Sequence, residues 1–275
     1  MIIACLPCST RGNSIYTACD KVTDSEPMVE VEQSPKKAAP TNKQLPPKSK
    51  LELTLEKMGM LDVKKEIPGI YVDLMYTRAD NFTGKVLYRN LNRAYLHPDA
   101  MAPLKRAQAI LKKRRPDLSL KVYDAARPMS VQQIMWNTVA GTSKNIYVSN
   151  PKNGGGMHNY GVAVDVTLCH AATGDTIGID MGTYIDYLEK LAQPRYEAEF
   201  LKSGKLSKEA YENRKLLREV MVEAGYKVLP SEWWHFDYGD GMWAQLKNEN
   251  AIYAGRLDAE VRDQVPYKNM EKVRE

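Results

Sequence analysis

No stretch of about 18 or more apolar residues occurs in the 275-residue sequence, so nothing in it reads as a membrane-crossing helix. Cysteine is sparse and poorly placed. Of four, Cys5, Cys8 and Cys19 crowd the start and only Cys169 lies in the body of the chain, which argues against a disulfide framework. Cys5-Leu-Pro-Cys8 has the spacing of a redox or zinc pair, yet no strand-then-helix pattern flanks it and that reading falls away. No internal repeat appears. A stripe of one charge sign is missing too. The net charge of +5 and pI near 8.8 come from Lys and Arg scattered among acids, as in KKRRPD (112–117) and ENRKLLRE (212–219), which speaks against a nucleic-acid surface. What remains is ordinary: 43% hydrophobic and 27% charged residues suit a water-soluble globular chain, and the length suits one catalytic domain with a full core.

The start, Met1-Ile-Ile-Ala-Cys5, resembles the tail of a lipoprotein signal, in which a small residue precedes the cysteine that becomes lipidated; the basic and long apolar portions upstream are missing. From Asp20 to Lys50 the chain is rich in Pro, Lys, Ser and Glu and free of aromatics. Such a segment cannot bury enough apolar area to offset the entropy of ordering it. The expectation is a tether over residues 1–50, bearing a lipid anchor at the cell envelope or periplasm, and a folded domain over 51–275 that begins near Leu51. A cytoplasmic location is the alternative.

Within that domain the periodicities alternate in mixed order, which predicts an α+β fold with a central, mostly antiparallel sheet flanked by helices. Ile70 to Tyr76 alternates like a strand. Met101, Leu104, Ala107 and Leu111 recur at helical spacing, with Pro116 beyond the end. Ser119 to Tyr123 reads as a strand, and Ser130 is placed to cap a short helix through Trp136. Glycines 154–156 form a loop before Val162 to Leu168, the clearest strand in the chain. A helix is predicted from Ser207 to Glu223, stopped by Gly225, and Trp233 to Tyr238 has strong β character.

The strand from Val162 to Leu168 carries the first sign of chemistry. Its valines take one face, and Asp165 shares the other with Ala163 and Thr167. A carboxylate in mid-strand is costly unless it is paired or holds a metal. His158 lies seven residues earlier, about 23 Å away if extended at roughly 3.3 Å per residue. Convergence therefore needs a turn, which Asn159-Tyr160-Gly161 can supply. Further on, Glu232-Trp-Trp-His235 pairs a general base with a nitrogen ligand. In a regular strand those two point to opposite faces, so a bulge or bend must fall between them. Two His and one carboxylate are a known ligand set for catalytic zinc, with a fourth position open. His158, Asp165 and His235 are the candidate ligands, on the sheet, and Glu232 the candidate base. His97 before Pro98 reads as a helix-entrance residue, His170 as a solvent-side residue after the strand, and Trp233 with Trp234 as packing around the pocket.

Gly156-Met-His158-Asn-Tyr-Gly161-Val-Ala-Val-Asp165 resembles the SxHxxGxAxD motif of the D-alanyl-D-alanine dipeptidases, the zinc enzymes of vancomycin resistance, and Glu232-Trp-Trp-His235 resembles their ExxH. Tyr76-Thr-Arg-Ala-Asp-Asn-Phe-Thr-Gly84, Tyr123-Asp-Ala-Ala-Arg127-Pro and Met181-Gly-Thr-Tyr-Ile-Asp186 are similar to three further stretches of the family, in the same order. The resemblance implies one zinc per chain on His158, Asp165 and His235, with Glu232 as base. It implies Arg127 as the cation facing the tetrahedral intermediate, and Asp186 with Tyr76 near the substrate's free amine. One position departs: Gly156 stands where the motif has serine. Any hydrogen bond from that hydroxyl to substrate is absent or comes from elsewhere.

Three functions are set against one another. The first is hydrolysis of the D-alanyl-D-alanine dipeptide in peptidoglycan turnover or glycopeptide resistance. The alternative is a zinc D,D-carboxypeptidase acting on longer cell-wall peptides. The third, a wall-binding module that keeps zinc without turnover, needs neither Glu232 nor Arg127. Asp186 discriminates between the two enzymes, because a buried carboxylate at the amine end rejects an acylated amine.

Overall fold

The computed structural model describes residues 45–153 and 155–239. Cys5, Cys8, Cys19, the lipoprotein-like start, most of the expected tether and Gly154 lie outside these residues. The elements are α1 (Lys50–Lys57), β1 (Leu61–Asp62), α2 (Val63–Glu66), β2 (Tyr71–Val72), β3 (Tyr95–Leu96), α3 (Pro98–Arg114), β4 (Leu118–Asp124), α4 (Met129–Val139), β5 (Ala163–His170), α5 (Glu197–Lys202), α6 (Lys208–Glu223), β6 (Lys227–Val228) and β7 (His235–Asp237). Single 3₁₀ turns join several of them. The fold is α+β. None of the described helices is long and apolar enough to cross a membrane.

Five strands form the main sheet in the order β2-β4-β5-β7-β6, parallel only between β2 and β4; β1 and β3 make a separate antiparallel pair. β5 lies at the centre and is buried from Ala163 to Cys169, on both faces. Helix α3 lies against β4, α6 lies against β5, and the two helices touch. The predicted stripe Met101, Leu104, Ala107 and Leu111 is the buried face of α3. Arg106 Nη2 donates to the Ala224 carbonyl at 2.8 Å, and the Tyr226 hydroxyl to the Ala100 carbonyl at 2.6 Å, which ties the end of α6 to α3.

The fold starts slightly before Leu51. Ser49 and Glu52 form a reciprocal capping box on α1, with Glu52 N donating to Ser49 Oγ at 3.1 Å and Ser49 N to Glu52 Oε2 at 3.0 Å. Glu52 is fully buried and also accepts from Arg93 Nη1 at 2.9 Å and Asn92 N at 2.8 Å, while Arg93 Nη2 reaches the Pro46 carbonyl at 2.8 Å. The last few residues of the expected tether, from Pro46, are therefore packed on the domain.

Several element boundaries differ from the pattern-based reading. The strand over 70–76 is paired only at Tyr71 and Val72; after Asp73 the chain turns through Met75–Thr77 and buries the Tyr76 ring instead. Ser130 does not cap α4. The cap position is Pro128, whose extended backbone lets its carbonyl accept from Gln132 N at 3.1 Å, and the helix runs on to Val139 rather than ending at Trp136. The strand expected over 162–168 spans Ala163–His170, and the aromatic run is strand only at His235–Asp237.

Gly161 makes the turn before β5. It adopts φ 69°, and a Cβ there would run into the Met60 side chain and lie 3.2 Å from the His97 backbone nitrogen. A left-handed conformation alone costs an L-residue about 1–2 kcal/mol. Gly161→Ala should lose at least that much stability in denaturant unfolding, and an unchanged midpoint would show that this turn relaxes freely.

Candidate metal centre and active site

Register decides which side chains meet. On one flank of β5, Asp165 pairs directly with His235 of β7. On the other, β4 and β5 are in step from Leu118↔His170 to Val122↔Val166, after which Asp124 faces Asp165. One extra residue, Tyr123, is thus taken up in a bulge on β4, beside the site. His158 comes from the 3₁₀ turn Met157–Tyr160, folded back by Gly161 as the turn-prone sequence suggested.

Three donor atoms converge. His158 Nε2 lies 3.2 Å from Asp165 Oδ1 and 3.1 Å from His235 Nδ1, and His235 Nδ1 lies 3.1 Å from the same carboxylate oxygen. The outer ring nitrogens fix the tautomers. His158 Nδ1 sits 2.7 Å from the Ala125 carbonyl, which can only accept, so that nitrogen carries the proton. His235 Nε2 faces Asp237 Oδ1 at 2.8 Å and is oriented in the same way. With His235 neutral, both imidazoles can turn a lone pair inward beside the Asp165 carboxylate oxygen, a set of acceptors that needs a proton or a cation at its centre. These edges are close to the roughly 3.3 Å expected between tetrahedral ligands bound at about 2.0–2.1 Å. Among the described residues these three form the group whose ligand atoms can share one ion, and all are buried. The donor set fits a divalent metal. Burial opposes charge on both Asp165 and His235, but each outweighs it through its partners. The two imidazoles hold the Asp165 carboxyl well below the usual range, and Asp237 with Asp165 raises His235. A cation at the centre would take the place of the inner proton of His235.

The remaining candidates line the same cavity of about 230 Å³, smaller than the roughly 300–1,000 Å³ of sites for drug-sized ligands. Arg127 donates from Nε and Nη2 to Asp124 Oδ2 at 2.8 and 2.6 Å, and its Nη2 lies 3.6 Å from Asp165 Oδ2. Tyr88 donates to the other oxygen of Asp124 at 2.6 Å. The Arg127 guanidinium lies over the Tyr76 ring, 5.3 Å from the centroid, and the Arg127 backbone is pinned on both sides to the His158 turn. Glu232 stands in the turn that precedes β7, which supplies the bend that ExxH requires. Burial, with help from Asp165 and Asp186, raises its pKa to about 8.

Asp186 is the one non-glycine with positive φ among the described residues, at 70°. Strain of that kind collects at functional sites. Tyr76 donates to its Oδ1 at 2.9 Å, while Oδ2 is buried without a hydrogen-bond partner. Burial and the Asp165 charge push its pKa to about 7, against the weaker pull of Tyr76, Arg127 and the Phe82 amide.

His97 and His170 stay out of the cluster. His97 accepts from Asp99 N at the start of α3, and His170 contacts the Ile177 carbonyl at 2.9 Å. His170 ends β5 rather than following it. Trp233 and Trp234 are buried, with Trp233 Nε1 donating to Thr183 Oγ1 at 2.8 Å and Trp234 lining the cavity. Sequence reasoning missed Asp124, Asp237 and Gln132, which hold Arg127 and His235 in place. Asp237 was within reach of a period-two argument, since residues two apart in a strand share a face.

Residues 56–252 match the model of a peptidase family, and the chain belongs to that family. The family is described as D-ala-D-ala dipeptidase, and the match includes every site residue from Tyr76 to His235. A D-alanyl-D-alanine dipeptidase of Escherichia coli (strain K12) is 31% identical over 180 residues, 65% of this chain and 83% of the relative. Another, from Synechocystis sp., is 28% identical over 208 residues, covering 62% and 82%. A third, from Enterococcus faecium, is 24% identical over 202 residues, covering 65% and 91%.

The donor triangle predicts about one divalent ion per chain in purified protein, lost in His158→Ala and in His235→Ala. Asp237→Asn should weaken metal affinity by about 10–100-fold, the usual effect of removing an outer partner of a ligating histidine. Full metal content in His158→Ala, measured by elemental analysis, would place the ion elsewhere.

Proposed function

We propose that the chain is a zinc-dependent dipeptidase that hydrolyses D-alanyl-D-alanine released in peptidoglycan turnover. The observation that carries this reading is Asp186, a carboxylate with one oxygen buried and without a hydrogen-bond partner, lining the cavity that also holds the three converging donors. A buried carboxylate lacking a partner is costly and calls for a cation. The free ammonium of a dipeptide is such a cation, and its binding restores the ordinary charged state of a group whose pKa is raised to about 7.

His158, Asp165 and His235 would hold zinc, which supplies a Lewis acid that polarises a carbonyl and makes water acidic near neutrality. Glu232 takes the proton from the attacking water and delivers it to the departing amine nitrogen. Its raised affinity for a proton suits the second half of that task, and the nearby cation suits the first. Arg127 faces the charge that develops on the carbonyl oxygen, and Asp124 and Gln132 fix the plane of its guanidinium beforehand. Asp186 and Tyr76 fix the amine end. An acylated amine carries no charge for Asp186 and adds bulk to a small cavity, which favours the dipeptidase over a carboxypeptidase acting on longer wall peptides.

Hydrolysis of D-Ala-D-Ala, its L,L isomer and an acylated D-Ala-D-Ala tripeptide, each with and without chelator, tests the reading. Release of D-alanine from the free D,D-dipeptide, abolished by chelator, is the expected result; preferential cleavage of the acylated tripeptide would overturn it. Glu232→Gln should lower kcat by about a hundredfold to ten-thousandfold with metal retained. Arg127→Lys keeps the charge but loses the fork, so kcat should fall there as well. Near-normal turnover in Glu232→Gln would move the base elsewhere.

A further inference from the structure

Position 156 lacks a side chain, and the space that side chain would occupy is taken. A Cβ built on Gly156 would lie 2.8 Å from Ser149 Oγ and 3.2 Å from Ser149 Cβ. Ser149 lies on the exposed stretch that follows the Ser143–Tyr147 turn, and both residues line the cavity that holds the donor cluster. A side chain at position 156 would displace the Ser149 hydroxyl from where it stands. Where the dipeptidase motif carries its hydroxyl on the strand-entry turn, this chain presents one from a different loop at the same place.

Ser149 is also held in position. Gln132 Nε2 donates to its carbonyl at 2.8 Å, and Gln132 Oε1 accepts from Arg127 Nη1 at 3.1 Å. One glutamine thus links the loop that carries Ser149 to the guanidinium. The Ser149 hydroxyl makes no hydrogen bond to the described residues, although most polar side chains of the cavity are committed to one another. A dipeptide zwitterion brings an ammonium, a scissile carbonyl and a carboxylate. Asp186 takes the first, and the metal centre with Arg127 takes the second. The carboxylate is the group still in need of a donor.

We propose that Ser149 is a substrate-binding residue whose hydroxyl replaces the missing side chain at position 156 and donates to the carboxylate of the dipeptide. This rests on the dipeptidase reading above. A hydrogen bond to a charged group that is present in both ground and transition state changes KM rather than kcat.

The test is a swap, using the metal-loaded full chain and D-Ala-D-Ala. Ser149→Ala should raise KM by about 10–100-fold with kcat within about threefold of wild type. Gly156→Ser alone crowds Ser149 and should lower the unfolding midpoint unless Ser149 turns away. Adding Ser149→Gly to it should restore the midpoint and return KM to within about threefold of wild type, whereas Ser149→Gly alone keeps the raised KM. A Ser149→Ala enzyme with wild-type KM overturns the proposal, as does a double variant no better in KM than Ser149→Gly. A wild-type protein that cleaves no dipeptide overturns the parent reading and this assignment with it. The unfolding midpoints then report separately whether positions 149 and 156 share one space.

Discussion

Asp165 stands in the middle of a row of three across the sheet, with Asp124 on the neighbouring strand to one side and His235 on the other. Like charges directly opposite one another destabilise a ladder, and these are buried. The arrangement holds because cations and dipoles are placed on both carboxylates: Arg127 binds Asp124 at 2.6 Å and reaches toward Asp165, while two imidazoles converge on the far oxygen of Asp165. Removing any one of them weakens the compensation of a buried charge. The bulge at Tyr123 is the backbone device that makes this possible, because without the extra residue Asp124 would not face Asp165.

Environment then sets the carboxyl groups of one small cavity apart. Asp165, surrounded by imidazoles and a guanidinium, stays ionised despite complete burial. Glu232 and Asp186 lack such a partner, and burial raises their pKa values to about 8 and about 7. Under the proposed function, groups of one chemical type would take three roles: a metal ligand that must remain anionic, a base able to receive and return a proton, and an anchor that becomes fully charged when an ammonium arrives. The backbone of Asp186 is held left-handed at φ 70° where the residue lines the cavity.

Much of this was legible in the sequence. The alternation around Asp165, the turn residues Asn159 to Gly161 and the ExxH spacing pointed to three residues that converge in the structure, and to Glu232 in the same cavity. The helical stripe of α3 and the span of α6 were readable for the same reason, since they depend on local periodicity. The element ends were less legible. β2 stops after two residues because the Tyr76 ring finds a better place inside, and that is a property of the packed molecule.

The sequence by itself determined which residue types stand at which spacing, and hence that two imidazoles and a carboxylate could share one site with Glu232, while family resemblance added Arg127 to it. Only the tertiary structure decided what each of them faces. Asp124 and Asp237 became partners of Arg127 and His235 through strand register and a bulge, and Ser149 came to fill the place of a missing side chain through the path of a loop. Spacing along a chain is a one-dimensional quantity that carries over into a helix or a strand. The meeting of residues from separate strands and loops depends on how those elements pack, which no local pattern encodes.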